Sequence, residues 1–394
     1  MNKRSFIIDA KRSVIGKFLG GLSPLSAVDI GTRVVAAILR DHDLKPDTIE
    51  EVFIGQVVQA GMGQNPARQV ALNAGVSNNV TAVTVNQVCG SGLRAVMTAD
   101  RAIRSGDVNV VLAGGMESMT NCPHLLRGLR DGSTKMGDTT LIDSMVHDGL
   151  RCAFDACLMG ETAEYVAEKQ RISRAEQDEW SVRSHQRAAK AIADGAFRRE
   201  IVPIEIVSRK KTVTVDTDEC VRADSSMEAL GKLPTVFRKD GSVTAGNASA
   251  LADGAAMVLV ASETAVSEHG WKPRAKILSA SVAGGPPREL FTATIPAIRA
   301  ALDKARLKTS DIDLYEINEA FAVQSVACVR GLEIDAERVN VDGGSIALGH
   351  PIGASGARIL TTLLHGLERR NLRRGVAGLC LGGGNAVAMV IERV

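Results

Sequence analysis

The chain has 394 residues, 45% hydrophobic and 23% charged, with a formal net charge of +2. That length exceeds what one compact core usually holds, and so small a net charge excludes the broad basic field of a dedicated nucleic-acid binder while leaving room for a local patch toward a phosphorylated ligand. The most apolar stretches, "ALADGAAMVLVA" and "GLCLGGGNAVAMV", are too short and too glycine-rich to span a bilayer, so no membrane association is expected.

Taken in chain order, strand-like and helix-like segments alternate. "SFIID" reads as a first core strand and is followed by a helical pattern over residues 26–40. "EVFIGQVV" is strand-like. "PARQVALNAG" reads as a helix, with Pro66 at its start and Gly75 at its end. "AVTVN" is again strand-like, residues 90–104 are helical with Gly106 as a stop, and "VNVVLAGG" closes the unit as a buried strand. Such near-continuous Val/Ile/Leu runs point to parallel strands covered on both faces.

Residues 121–160 break this rhythm with weak periodicity and many turn formers. "SRAEQDEW" then starts a helix at capping-box spacing, Ser173 to Glu176, that runs to Gly195. Residues 203–245 return to short mixed segments. The expected organisation is therefore an N-terminal α/β half over 1–120, a loop domain over 121–250 and a C-terminal α/β half over 271–394. In that last part, alternation resumes with "RAKILSASVAGG", a helix over 296–306, "LYEIN", helices over 319–332 and 353–369, and strands "GVAGLCLGG" and "NAVAMVIERV". "VNQVCGSGLRA" near the front faces "VNVDGGSIALGHPIGASGAR" near the back. Both set Val-Asn ahead of a Gly/Ser turn that launches a helix, which suggests a duplicated unit.

Seven cysteines are scattered at 89, 122, 152, 157, 220, 328 and 380. No apolar leader precedes the first strand and no peroxisomal tripeptide follows the last, so a cytoplasmic location and reduced thiols are expected. Cys152 and Cys157 have neither a second cysteine pair nor a histidine pair nearby, and no metal is expected.

Four stretches carry chemistry. In "VNQVCGSGLRA", Cys89 sits at a strand-turn-helix junction, where unpaired amides and the helix dipole favour a thiolate. In "GGSIALGHPIGASG", His350 lies in a glycine-rich turn, a poor place for a core histidine and a good one for a general base. In "GLCLGGGN", Cys380 ends an apolar strand and runs into glycines whose amides can form an anion hole. In "EINEAF", Asn318 follows a strand and starts a helix, either as an N-cap or as the holder of a water. "GMGQNP" is not a dinucleotide fingerprint, because Pro66 takes its sixth position, and "GGG" at 382–384 lacks the lysine and serine of a nucleotide-phosphate loop.

Two cysteines, one histidine and one asparagine on strand-end loops together resemble the thiolase family, the acetyl-CoA acetyltransferases and 3-ketoacyl-CoA thiolases. The resemblance spans nearly the whole chain, through "GQNPARQ", "VNQVCGSGLRA", "LAGGMESMT", "VTAGNASALADGAA", "INEAFA", "GGSIALGHPIGASGAR" and "CLGGG". It implies an α/β fold of duplicated, layered α/β/α/β/α architecture with an inserted loop domain covering the site, and a homodimer or homotetramer. It also implies that Cys89 is acylated, that His350 takes its proton and that Cys380 is the second acid/base. One oxyanion hole would use His350 and a water on Asn318, the other the amides of Cys89 and Gly382. Acyl-CoA and CoA would be substrate and product, with no bound cofactor. Ser249 matches a pantetheine-binding position and Arg222 one near the nucleotide. Leu150, Met159, Ala245, Ala320 and Phe321 match positions lining the pantetheine tunnel.

The chain departs from the family at several points. Leu158, in "CLMGETAE", stands where acetoacetyl-type members usually carry histidine, and Phe291 stands where glycine is usual. Both reshape the acyl and pantetheine pocket. Asp342 and Ser345 replace the commoner Asn and Ala, and "GGGNA" replaces "GGGQG". The expected activity is that of an acetyl-CoA acetyltransferase. A medium-chain 3-ketoacyl-CoA thiolase, a decarboxylating condensing enzyme or a non-catalytic CoA-binding protein are the alternatives. Cys380 argues against the condensing enzyme, and four intact reactive groups argue against the non-catalytic protein.

Overall fold

The computed structural model describes residues 4–207 and 211–394; within the mixed stretch 203–245, residues 208–210 therefore lie outside the described residues. Nine main strands are β1 (Ser5–Ser13), β2 (Glu51–Gly55), β3 (Thr81–Val85), β4 (Val110–Ser118), β5 (Ala252–Ser262), β6 (Ala275–Gly284), β7 (Leu314–Ile317), β8 (Arg374–Leu381) and β9 (Asn385–Arg393). The principal helices are α1 (Ala27–Asp41), α2 (Pro66–Asn73), α3 (Ser91–Ser105), α4 (Met159–Gln170), α5 (Arg174–Ala193), α6 (Thr294–Ala305), α7 (Ala322–Leu332) and α8 (Ser355–Arg369).

The strands are ordered β7-β8-β9-β6-β1-β5-β4-β2-β3. This order is two similar runs joined edge to edge. In the first, β1 is antiparallel to β5, β5 antiparallel to β4, and β2 and β3 continue in parallel. In the second, β6 is antiparallel to β9, β9 antiparallel to β8, and β7 continues in parallel. Val339 bridges Tyr315 in parallel, where β3 would lead one to expect a fifth strand. The two runs meet only where Phe6 and Ile7 pair with Lys276 and Ala275. The faint sequence likeness between the outer thirds thus corresponds to a repeated topology.

Helices α3 and α8 lie between the two runs, touching each other and strands of both, while α1 and α2 cover the outside of the first run and α6 that of the second. Contact between α3 and α8 depends on glycine: a Cβ on Gly92 would sit 2.9 Å from the Ala357 nitrogen, and one on Gly356 would sit 2.5 Å from the Leu93 nitrogen. Both helices are amphipathic on a broad stripe, and α8 is buried along almost its whole length.

Most elements form where the pattern places them. Ser26 and Ser173 each cap their helix, and each makes a reciprocal bond with an acidic residue three positions on, Asp29 and Glu176. Two of the boundaries that differ from expectation bear on the site. The strand read as "EVFIGQVV" stops at Gly55, because the amides of Val57 and Val58 donate to the buried Glu117 carboxylate at 3.0 and 3.3 Å instead of to a neighbouring strand. Helix α7 begins at Ala322 rather than at 319, so Asn318 is not its N-cap; Phe321 holds that position.

Segment 121–250 is tied to β1 by a buried charge cluster. Arg12, fully buried, donates from Nε to Glu200 at 2.6 Å and from both terminal nitrogens to Asp218 at 2.8 Å. Removing one member leaves its partners charged and dry, which is far costlier than losing a surface pair. Arg12→Ala should therefore lower unfolding free energy by about 3–5 kcal/mol, read as a fall in the denaturant midpoint; an unchanged midpoint would show the cluster to be energetically neutral.

Candidate active site

A cavity of about 330 Å³ opens where the two runs and segment 121–250 meet. Its wall is overwhelmingly apolar, and it holds Cys89, His350 and Cys380 together with Gly382. Leu150, Leu158, Met159, Ser249, Ala320 and Phe321 line it as well. Arg222 and Ala245 do not. Both are exposed, and the Arg222 amide donates to His185 Nδ1 at 3.1 Å. Asn318 lies directly behind the wall, fully buried. Among the described residues, no group of three or more His, Cys, Asp or Glu is placed to hold a metal, and all seven cysteines are unpaired.

Cys89 sits on a strained turn. Val88, just before it, has φ +47°, a left-handed conformation that β-branched residues rarely adopt. The turn is held by Asn86 Oδ1, which accepts from the Val88 amide at 3.0 Å, and by Ser91 Oγ, which accepts from the Gln87 amide at 2.9 Å and donates to the Val88 carbonyl at 2.6 Å. Gly90 lets this turn press onto the end of β8. A Cβ there would fall 1.9 Å from Leu381 Cδ2, one residue past Cys380.

The thiolate expectation is not met. Burial pushes the Cys89 thiol up to about 12, with the charge of Glu117 adding to it. The amides of Cys89 itself and of Gly382 pull the other way but are outweighed. One helix terminus cannot offset desolvation of an anion at the floor of an apolar cavity. Cys380, 1% exposed, is raised well above the ordinary thiol range by burial and by Cys89.

His350 is held in one protonation state. Its amide donates to the Ala250 carbonyl at 2.9 Å, and its Nδ1 lies 2.6 Å from Ser355 Oγ. Ser355 Oγ donates its own proton to the Pro351 carbonyl at 2.9 Å. It must therefore accept from Nδ1–H, which leaves Nε2 with a free lone pair. Burial, and then the charge of Arg358, hold the imidazole down to about 3, so it is neutral across the physiological range. Nε2 lies 3.5 Å from Asn318 Nδ2. A neutral thiol and a neutral imidazole with an open lone pair can serve as a nucleophile and its base. The second thiol, still protonated, can serve as an acid.

Family models for the thiolase N-terminal domain and the thiolase C-terminal domain match residues 5–264 and 271–393. The chain belongs to the thiolase family. It is similar to the acetyl-CoA acetyltransferase of Allochromatium vinosum, 48% identical over 395 residues and the full length of both chains. It is likewise similar to that of Escherichia coli K12, 47% identical over 392 residues, again covering all of both. A crystal structure of the Bacillus anthracis acetyl-CoA acetyltransferase superposes with a TM-score of 0.97, at 42% identity and full coverage of both chains.

Three positioning groups of this thiolase carry only a weak signal in the sequence. Ser355 is five residues after His350, on the first turn of α8, and is buried. Glu117 gathers the amides of Val57, Val58 and Gly353, clamping the loops that face Cys89 and His350, although burial pushes its carboxyl up to about 8. Val88 is marked by backbone strain, which no residue pattern announces. Asp342 is buried, but its charge is taken up by Arg369 and by Arg370 at 2.8 Å, and it does not reach the cavity. Because the free protein holds Cys89 as a thiol, its alkylation by iodoacetamide should climb roughly tenfold per pH unit between about pH 7 and about pH 9. Mass spectrometry of the Cys89 peptide checks this; a plateau near neutrality would mean a standing thiolate.

Proposed function

We propose that this chain is an acetyl-CoA acetyltransferase, which reversibly transfers an acyl group between acyl-CoA and 3-ketoacyl-CoA through an acyl-Cys89 thioester. The observation that carries the reading is the convergence of Cys89, His350 and Cys380 on one apolar cavity, with the Cys89 and Gly382 amides close to the nucleophilic sulfur. In the thiolysis direction, His350 Nε2 takes the Cys89 proton as sulfur attacks the 3-keto carbon. The C2–C3 bond then breaks, leaving acetyl on Cys89 and the enolate of acetyl-CoA, which Cys380 protonates. A thiol raised well above its usual range keeps its proton for that step. CoA-SH next gives its proton to the Cys380 thiolate as its sulfur attacks acetyl-Cys89; the bond from the acetyl carbon to Cys89 breaks, Cys89 leaves with the proton held on His350, and a second acetyl-CoA departs. Asn318, with an ordered water, and His350 stabilise the oxyanion of one half-reaction. The Cys89 and Gly382 amides serve the other. Each such donor is worth about 3 kcal/mol of barrier.

CoA is substrate and product, and the tunnel for its pantetheine arm runs past Leu150, Leu158, Met159 and Ser249. We infer that residues 121–250 form the covering loop domain, which is supported by the cavity wall they supply. Phe291 favours a short acyl group. It is 1% exposed, stacks edge-on against Phe321 at 5.2 Å and shares an apolar cluster with Cys380. A phenyl ring there fills space rather than opening it. A homodimer or homotetramer is supported by β3, a sheet-edge strand that leaves Val83 exposed and is open to pairing with a second copy. We further infer a cytoplasmic enzyme of fatty-acid metabolism; among the described residues no helix is long and apolar enough to cross a membrane.

The purified protein should cleave acetoacetyl-CoA in the presence of CoA faster than a six- to eight-carbon 3-ketoacyl-CoA. Cys89→Ala should reduce turnover to background while CoA binding survives. Full turnover in that variant would rule out the covalent mechanism, and a preference for the longer substrate would make the protein a medium-chain 3-ketoacyl-CoA thiolase. Phe291→Ala should shift relative kcat/KM toward the longer substrate by roughly tenfold, since one buried methylene of discrimination is worth about 1–3 kcal/mol.

A further inference from the structure

The hairpin over residues 151–158 carries two cysteines that the reaction does not use. Arg151 and Leu158 bridge in antiparallel fashion, and one step toward the tip the Cys152 amide donates to the Cys157 carbonyl at 2.8 Å. Ala156, at φ +52°, turns the chain back, and Arg151 Nη1 donates to its carbonyl at 2.8 Å. Cys152 and Cys157 are therefore directly opposite each other, on the same face of the hairpin. Residues paired through such a hydrogen bond have Cα atoms about 5.5 Å apart, and a disulfide spans about 4.4–6.8 Å between Cα atoms.

Neither thiol has a strong partner to give up. The Asp155 amide donates to Cys152 Sγ at 3.5 Å, and Cys157 Sγ lies 3.5 Å from Thr162 Oγ1, both weak contacts of a sulfur. Cys152 is buried and Cys157 half-buried, so a dissolved oxidant meets Cys157 first. The hairpin also borders the cavity. Leu150 and Leu158, at the foot of its two arms, stand in the cavity wall. Its tip holds Phe154, 73% exposed, over the glycine turn beside Gly382: a Cβ on Gly383 would lie 3.3 Å from Phe154 Cε2.

We propose that Cys152 and Cys157 are a modification site, a thiol pair that a low-molecular-weight disulfide such as oxidised glutathione converts to a reversible intramolecular disulfide, locking this hairpin beside the cavity. Cys157, its proton released to solvent, attacks one sulfur of the oxidant. The oxidant's S–S bond breaks, and one glutathione leaves and takes up a proton. Cys152 then loses its proton and attacks the Cys157 sulfur of the mixed disulfide, and the second glutathione leaves in the same way. The two cysteines lose two electrons and two protons, and the oxidant gains them as two thiols. Where thiols are otherwise kept reduced, bonds of this kind are transient and redox-sensing. A locked hairpin yields less as a pantetheine arm passes Leu150 and Leu158, so the bond weakens substrate capture and leaves the chemistry at Cys89 alone. That consequence rests on the reading of the cavity as an acyl-CoA site; formation of the bond does not.

The test equilibrates the full-length protein with mixtures of reduced and oxidised glutathione, alkylates free thiols with iodoacetamide in denaturant and digests with trypsin. The peptide Cys152–Lys169 holds both cysteines and no other. Mass spectrometry is expected to find it two hydrogens lighter and unalkylated, with the Cys89 peptide still alkylated, and dithiothreitol should reverse the change. In the same samples KM for acetoacetyl-CoA is expected to rise about threefold or more, with kcat within about twofold. Cys157→Ser should keep the kinetics of the reduced protein and lose the response. An inactive reduced protein would overturn the enzymatic reading, and the peptide mass would still decide the bond. Alkylated thiols at both positions even in oxidised glutathione alone, or glutathione retained on Cys157, would overturn the modification site. A bonded hairpin with unchanged KM would overturn its hold on substrate capture.

Discussion

Close approach of α3 and α8 is the constraint on which this structure depends. Each helix follows a loop that carries a proposed reacting group, Cys89 before α3 and His350 before α8. Only where both backbones present glycine, at Gly92 and Gly356, can the helices pack closely enough to set those loops around one cavity. Any side chain at either place would collide with main-chain atoms, which cannot yield as the end of a flexible side chain can. The duplicated topology follows the same logic. Two similar strand runs present equivalent loops at equivalent ends, and the contact between their central helices joins them into a single site.

Around that contact, the polar groups are spent on holding geometry rather than on standing charge. Glu117 collects backbone amides from both loops, and Ser355 fixes the histidine tautomer. The reacting groups themselves are neutral at rest, since burial raises the thiols and lowers the imidazole. An apolar cavity makes any charge expensive in the ground state. The same apolar wall strengthens the few amide dipoles aimed at an oxyanion once it forms.

Much of this was legible in the sequence. The capping box at Ser173 and the Gly106 stop are local signals, and the structure realises them locally. Cys89, His350 and Cys380 were identifiable because each breaks the pattern around it, a reactive side chain at a strand end among glycines. Asn318 was ambiguous for the opposite reason. After a strand, an asparagine reads equally well as a cap or as a functional amide, and only the placement of α7 three residues later excludes the cap. Ser355 gave little signal, because a serine acquires a role only from the partners that folding brings to it.

The sequence by itself determined the alternation of elements, the likeness of the two outer thirds and which residues are candidates for the reacting groups, since these rest on periodicity and residue chemistry within a few positions. Tertiary structure decided what those groups are. It fixed the protonation of Cys89 and His350, the end of β2 at Gly55 and the place of Phe291 in the cavity wall. Each of these depends on desolvation or on a hydrogen-bond partner far away in the chain, and neither exists until distant segments have been packed together.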